Sequence, residues 1–80
     1  DADGMDPSIM PAVAGPAPGG VTYSQMHRLI QGLVKKGRLV GMDIVEITPS
    51  RDVNDITSIT AARLITNAVG AAVRAGYFQD

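Results

Sequence analysis

Three aspartates open the chain, Asp1, Asp3 and Asp6, in the order D-x-D-x-x-D, and Pro7 closes the run. In an extended segment Asp1 and Asp3, two residues apart, project from the same side. Carboxylates so placed repel one another unless a cation lies between them, and hard oxygen ligands of this kind suit magnesium, calcium or manganese. An EF-hand loop is excluded. It needs an acid or amide at its fifth position, glycine at its sixth and glutamate at its twelfth, where this chain has Met5, Asp6 and Ala12. The competing reading is a polar turn in which Asp6 braces the backbone ahead of Pro7.

A second pair of acids, Asp43 and Glu46, interrupts the apolar stretch "GMDIVEITP". Burying a carboxylate costs several kcal/mol unless it is paired or binds a cation, so each needs a reason to be there. Glu46 falls at the carboxyl end of a predicted strand, the edge at which open α/β sheets place their ligands, and an anion there suits a cationic substrate. Asp43, three residues earlier and of opposite parity, reads as structural support, bonded to a basic side chain or to backbone groups. The single histidine, His27, has no acid at metal-binding spacing on its helix and reads as a boundary or surface residue.

The elements that must position these acids follow from periodicity. Residues 1–21 form the candidate metal-site end and a loop, since residues 1–20 hold four of the five prolines and four of the nine glycines. Ile9, Met10 and Val13 make this a packed loop rather than a tether. Thr22 and Gln25 form a T-x-x-Q capping box, and Met26, Leu29, Ile30, Leu33 and Val34 recur at helical spacing, which predicts a helix over 22–37. The β-branched run that follows predicts a strand over 38–47, buried on both faces as in a parallel sheet. After a loop over 48–56, Ala61, Leu64, Ile65, Ala68, Val69, Ala72 and Val73 predict a second helix over 57–76, with Asp55 or Thr57 as N-cap and Gly76 as C-cap.

This is an α/β alternation with one complete strand. A buried parallel strand cannot satisfy its ladder alone, so the expectation is the C-terminal segment of one larger α/β domain, or a chain that pairs with another. Eighty residues without cysteine allow one small domain with no disulfide or cysteine-based zinc site. A net charge of −1, with Lys35, Lys36 and Arg38 the one basic cluster, argues against nucleic acid or an anionic membrane as partner. No apolar run is expected to approach the ~20 residues of a bilayer span, and the cytoplasm is the default location.

Taken together the two acidic motifs resemble those of the arginase family, the metal-dependent ureohydrolases that include arginase and agmatinase. "DADGMDPSIMPAVAGPAPGGVTY" is similar to that family's D-x-D-x-x-D-P, Pro-rich loop and G-G-[LV]-T, and "VGMDIVEITP" to its G-x-D-[IVL]-x-E-x-x-P strand. The resemblance covers the whole chain, as the C-terminal fragment of a three-layer α/β/α arginase-like fold with a mainly parallel sheet. It implies that Asp1 and Asp3 are ligands of a binuclear Mn2+ centre and that the remaining ligands, a histidine and a D-x-H-x-D segment, lie upstream. It further implies that Glu46 meets the substrate guanidinium as the catalytic residue and that Asp6 supports the loop. In such chemistry two metals about 3.5–4 Å apart generate a hydroxide that attacks the guanidinium carbon, releasing urea and an amine. Where the family commonly has G-T-G-T-P, this chain has Val13, Ala14, Gly15 and Pro16, so Gly15 stands where a hydroxyl would touch the guanidinium. That turns the expectation from ordinary arginase toward an agmatinase-like enzyme acting on agmatine or a guanidino acid. The resemblance also implies a homo-oligomer, trimer or hexamer, with this segment alone inactive. The rival expectation is a small non-catalytic interaction module, or a degenerate ureohydrolase remnant.

Overall fold

Thr22 starts the first helix by a reciprocal pair of bonds: the Gln25 N–H donates to Thr22 Oγ1 at 3.1 Å and the Thr22 N–H to Gln25 Oε1 at 3.0 Å. Helix α1 then runs Tyr23–Lys36, with Lys35 and Lys36 complementing the dipole in its last turn. Helix α2 runs Ile56–Arg74, and two 3₁₀ turns, Ala2–Gly4 and Pro49–Arg51, complete the regular structure of the computed structural model, which describes residues 1–79.

The two ends of α2 are built differently from the expectation. Asp55 occupies the N-cap position in a left-handed conformation (φ 60°) and its side chain caps nothing. The capping carboxylate is that of Asp52, which accepts from the N–H groups of Thr57 and Ser58, both at 2.9 Å, and from the Ser58 hydroxyl at 2.7 Å. Thr57 lies inside the helix. At the other end Ala75 is the C-cap, and Gly76 (φ 83°) follows it in a Schellman motif: the Gly76 N–H donates to Val73 O and the Tyr77 N–H to Ala72 O.

Of the predicted stripe on α2, Ala61, Leu64, Ala68 and Ala72 are buried, joined by Ala71, whereas Ile65, Val69 and Val73 are exposed. On α1, Met26, Ile30 and Val34 turn inward while Leu29 and Leu33 face outward. The helices pack on each other, and polar bonds fix the contact: Asn67 Nδ2 donates to the Tyr23 hydroxyl at 2.6 Å and Arg74 Nη2 to Gln31 Oε1 at 3.0 Å. The Tyr77 hydroxyl closes the far end. It accepts from the Leu39 N–H at 2.7 Å and sits 3.2 and 3.1 Å from the carbonyl oxygens of Val34 and Gly37, to which its proton is donated.

The Pro-rich loop supplies the core. Met10, Ala12 and Val13 are each 1 % exposed, and Met10 and Val13 pack with Ala2, Met5, Ala61 and Leu64. Asp6 folds the loop back on itself, accepting from the N–H groups of Ser8, Gly19 and Gly20 at 3.0, 3.1 and 3.2 Å and from the Ser8 hydroxyl. Gly20 is required by close approach: a Cβ there would lie 2.6 Å from backbone atoms of Met5 and Asp6.

The strand expected over 38–47 is not formed, and no strand exists among the described residues. Two isolated bridges take its place, Met5 with Val21 (parallel) and Val13 with Ile47 (antiparallel). A strand is a paired object, and this segment meets neighbouring backbone only near its carboxyl end, through Val45 and Ile47. Its faces are open rather than buried: Val40 is 89 % exposed, and Leu39, Met42 and Val45 are also exposed. Contrary to expectation, α2, at 19 residues, is long and apolar enough to cross a membrane by length and composition. Its alanine face packs into the protein, as that of a core helix does.

Candidate functional site

The aspartate pair is not on an extended segment. Asp1 caps the 3₁₀ turn, accepting from the Asp3 N–H through Oδ1 at 2.9 Å. Ala2, between the two acids, is buried at 2 % exposure, while Asp1 is exposed and Asp3 half-buried. The turn thus anchors its apolar residue in the core and leaves both carboxylates at the surface. Asp3 Oδ1 accepts from the Gly15 N–H at 3.2 Å, and a Cβ on Gly15 would lie 3.4 Å from Asp3 Oδ2. The position expected to meet substrate therefore first meets the second aspartate.

The two acidic motifs are brought together by the backbone. The Ala2 N–H donates to Val45 O at 3.0 Å, so the residue between Asp1 and Asp3 is bonded to the residue before Glu46. Glu46 is exposed with φ 71°, a left-handed conformation that costs an L-residue with a long side chain about 1–2 kcal/mol. Such conformations persist where the surroundings impose them, and they cluster at functional sites. The imposing bonds flank it: Val45 O to Ala2, the Ile47–Val13 bridge, and the Thr48 N–H donating to Ala12 O at 2.8 Å. Residues 1–3, 12–15 and 45–48 thus form one closed ring of contacts.

Asp43 lies outside that ring. It is exposed, contrary to the expectation of a bonded structural acid, and with Asp1 it lines the rim of an apolar cavity of about 160 Å³ whose walls include all four methionines. An acid at a rim stays hydrated and needs no partner. His27 stacks on Tyr23 (centroids 6.1 Å apart, planes 3° apart), and its Nδ1 is buried without a partner among the described residues.

Two carboxylates outside the ring are held below the usual range. Asp6 is lowered by the Ser8 hydroxyl, then by the Ser8 N–H, with Gly20 and Gly19 adding to them and burial opposing. Asp52 is lowered to about 2, chiefly by the Ser58 hydroxyl, with burial opposing and the Thr57 and Ser58 N–H groups assisting.

Asp1 and Asp3 are a hard, anionic donor pair, and each commits one oxygen to a backbone N–H, so the other can face a cation without freeing the side chain. Such a pair suits part of a site for a hard divalent cation. Among the described residues no group of three or more His, Cys, Asp or Glu is gathered that could hold a metal, so the pair is not a complete ligand set.

Asp52 and Tyr77 escape sequence reasoning, and so does the role of Thr57, which is a buried acceptor inside the helix rather than its cap. Asp52 sits four residues before the helix, beyond the usual cap position, and its signal is the Thr57-Ser58 pair that its carboxylate reaches.

The family model described as Arginase family matches residues 1–70. Among curated relatives, the N(1)-aminopropylagmatine ureohydrolase of Thermus thermophilus is 40% identical over 70 residues, 88% of this chain and 23% of that protein. The agmatinase of Chromobacterium violaceum is 44% identical over 64 residues, covering 80% and 20% respectively. Among solved structures, the agmatine ureohydrolase of Thermoplasma volcanium superposes with a TM-score of 0.83 at 40% identity, over 96% of this chain and 25% of that one. The arginase of Bacillus subtilis does so with 0.81 at 33%, over 88% and 25%. The chain spans about a quarter or less of the length of these proteins.

Proposed function

Because the chain belongs to the arginase family, we propose that its residues form part of a manganese-dependent ureohydrolase, in which the whole protein cleaves a guanidino compound to urea and an amine. The relatives named agmatinase and ureohydrolase support hydrolysis of that class at the family level. The observation that carries the reading to this chain is the Ala2–Val45 bond, which sets the aspartate turn against the strained Glu46. Agmatine or a guanidino acid is the preferred substrate, since Gly15 leaves no hydroxyl beside Asp3.

In this reading Asp1 and Asp3 hold manganese through the oxygens not committed to backbone, with the other ligands supplied by the rest of the protein. Manganese, when bound, supplies a water acidic enough to act as nucleophile near neutral pH. The chain's own part is orientation. The Gly15 N–H fixes which way the Asp3 carboxylate turns. Glu46, held by its flanking bonds, accepts from the guanidinium N–H groups in a planar, charge-assisted contact and fixes the carbon that is attacked. The exposed apolar residues of 39–45 and the outer faces of both helices are covered in the whole protein, which we place among homo-oligomers.

The test is urea release by the manganese-loaded whole protein from agmatine, arginine and a series of guanidino acids. Release from agmatine or a guanidino acid, lost in Asp3→Asn together with bound manganese, is the expected result. No urea from any of them would sink the reading. The same exposed apolar faces favour one alternative, an interaction module. A module folds cooperatively as these 80 residues alone, which a segment of a larger domain does not.

A further inference from the structure

Thr57 is the most completely buried polar residue among those described, at 0 % exposure, and its Oγ1 accepts from the Ala12 N–H at 3.0 Å. On its other side Ala12 engages the second arm of the candidate site through its following peptide, its carbonyl accepting from the Thr48 N–H at 2.8 Å. One residue, itself 1 % exposed, is thus clamped between the first turn of α2 and the segment 45–48 that carries Glu46. From Ala12 the chain needs only three further residues to reach Gly15, which bonds Asp3. Asp52 fixes the clamp from behind through the N–H groups of Thr57 and Ser58.

We propose that Thr57 is a positioning residue for guanidino hydrolysis: its buried hydroxyl sets the spacing between the Glu46 arm and the Gly15–Asp3 arm of the site. This deepens the ureohydrolase reading and rests on it. The physical reason is that Ala12 is shared. Without the oxygen of Thr57 a buried N–H has no acceptor, so the Pro11–Ala12 peptide rotates or draws toward water and moves the Ala12 Cα, on which the next peptide and its carbonyl hang. Either movement acts on Thr48 and Gly15 together. The Val13–Ile47 bridge ties the same two arms one residue further on, so a shift at Ala12 reaches both. A misplacement of about 1 Å costs on the order of a hundredfold in rate in a preorganised site.

The experiment compares Thr57→Val, which keeps shape and removes the oxygen, with Thr57→Ser, which keeps the oxygen, both in the whole manganese-loaded protein. The first readout is steady-state kinetics of urea release from agmatine and guanidino acids. Thr57→Val is expected to raise KM about tenfold and to lower kcat, with Thr57→Ser near wild type. A loss of folded fraction alone lowers kcat and leaves KM where it was. The second readout is amide hydrogen exchange at Ala12 and Thr48, which needs no activity. Coupling predicts that Thr57→Val speeds both by about tenfold or more, and an effect confined to Ala12 overturns the proposal. Unchanged KM with unchanged exchange at Thr48 overturns it as well. A wild-type protein that releases no urea ends the ureohydrolase reading and with it the positioning role, and the exchange data then show whether the clamp exists apart from that chemistry.

Discussion

Replacing Glu46 separates strain from charge, because the residue carries both. At φ 71° its backbone pays about 1–2 kcal/mol relative to an ordinary conformation. Glu46→Gly releases that strain, and the extra freedom of glycine in the unfolded chain takes back about 0.5–1 kcal/mol. The net expectation is a protein at least as stable as the wild type, by about 0–1.5 kcal/mol. Glu46→Gln keeps the side-chain shape and the strain, so its stability should be near that of the wild type. Both variants remove the anion that would face the guanidinium, a charge-assisted bond of about 1.5–3 kcal/mol. At 1.36 kcal/mol per factor of ten this is a fall of roughly tenfold to 150-fold in kcat/KM. The assay pairs urea release with urea-denaturation midpoints for the three proteins at fixed manganese. A glycine variant less stable than wild type would refute the argument from strain. A glutamine variant with unchanged kcat/KM would remove Glu46 from the site.

Three further outcomes follow from particular bonds. Asp52, with an ordinary value of 3.8 and a folded value of about 2, contributes stability that is present above about pH 3.8 and lost as pH falls toward 2. In Asp52→Asn the loss of stability over that window, followed by circular dichroism at stepped pH, is expected to be smaller. Gly20→Ala sets a methyl against the backbone of Met5 and Asp6, and should destabilise by about 1–3 kcal/mol in denaturant titration while disturbing the Met5–Val21 bridge. Tyr77→Phe removes the acceptor for the Leu39 N–H and the donor to Val34 and Gly37; with these groups near water the loss should be only about 0.5–1.5 kcal/mol, measured the same way.

How much of this is legible in the sequence depends on how local the cause is. The capping box at Thr22 and Gln25 and the apolar period after it place a helix over 22–37, against Tyr23–Lys36 in the structure, because all its determinants lie within the segment. The start of α2 is only half legible for the opposite reason: Asp55 does take the N-cap position, but in a left-handed backbone, and the capping bonds come from Asp52. For Asp1 and Asp3 the two-residue spacing suggests an extended pair, whereas a 3₁₀ turn forms because Ala2 has a core to enter and Asp1 can cap the turn itself. The segment 38–47 has strand composition without a strand, since composition supplies the side chains of a sheet and only a neighbour supplies the ladder.

The anchoring of that same segment decides something about its alignment. The Leu39 N–H is held by the Tyr77 hydroxyl and Val45 O by the Ala2 N–H, while no backbone hydrogen bond engages residues 40–44 among the described residues. Pinned at two points six residues apart, this stretch cannot slide by one position without breaking one of the pins. Such a slip would exchange its two faces wholesale. Any neighbouring strand that pairs with residues 40–44 therefore meets a register already chosen by an aromatic hydroxyl on one side and by the aspartate turn on the other.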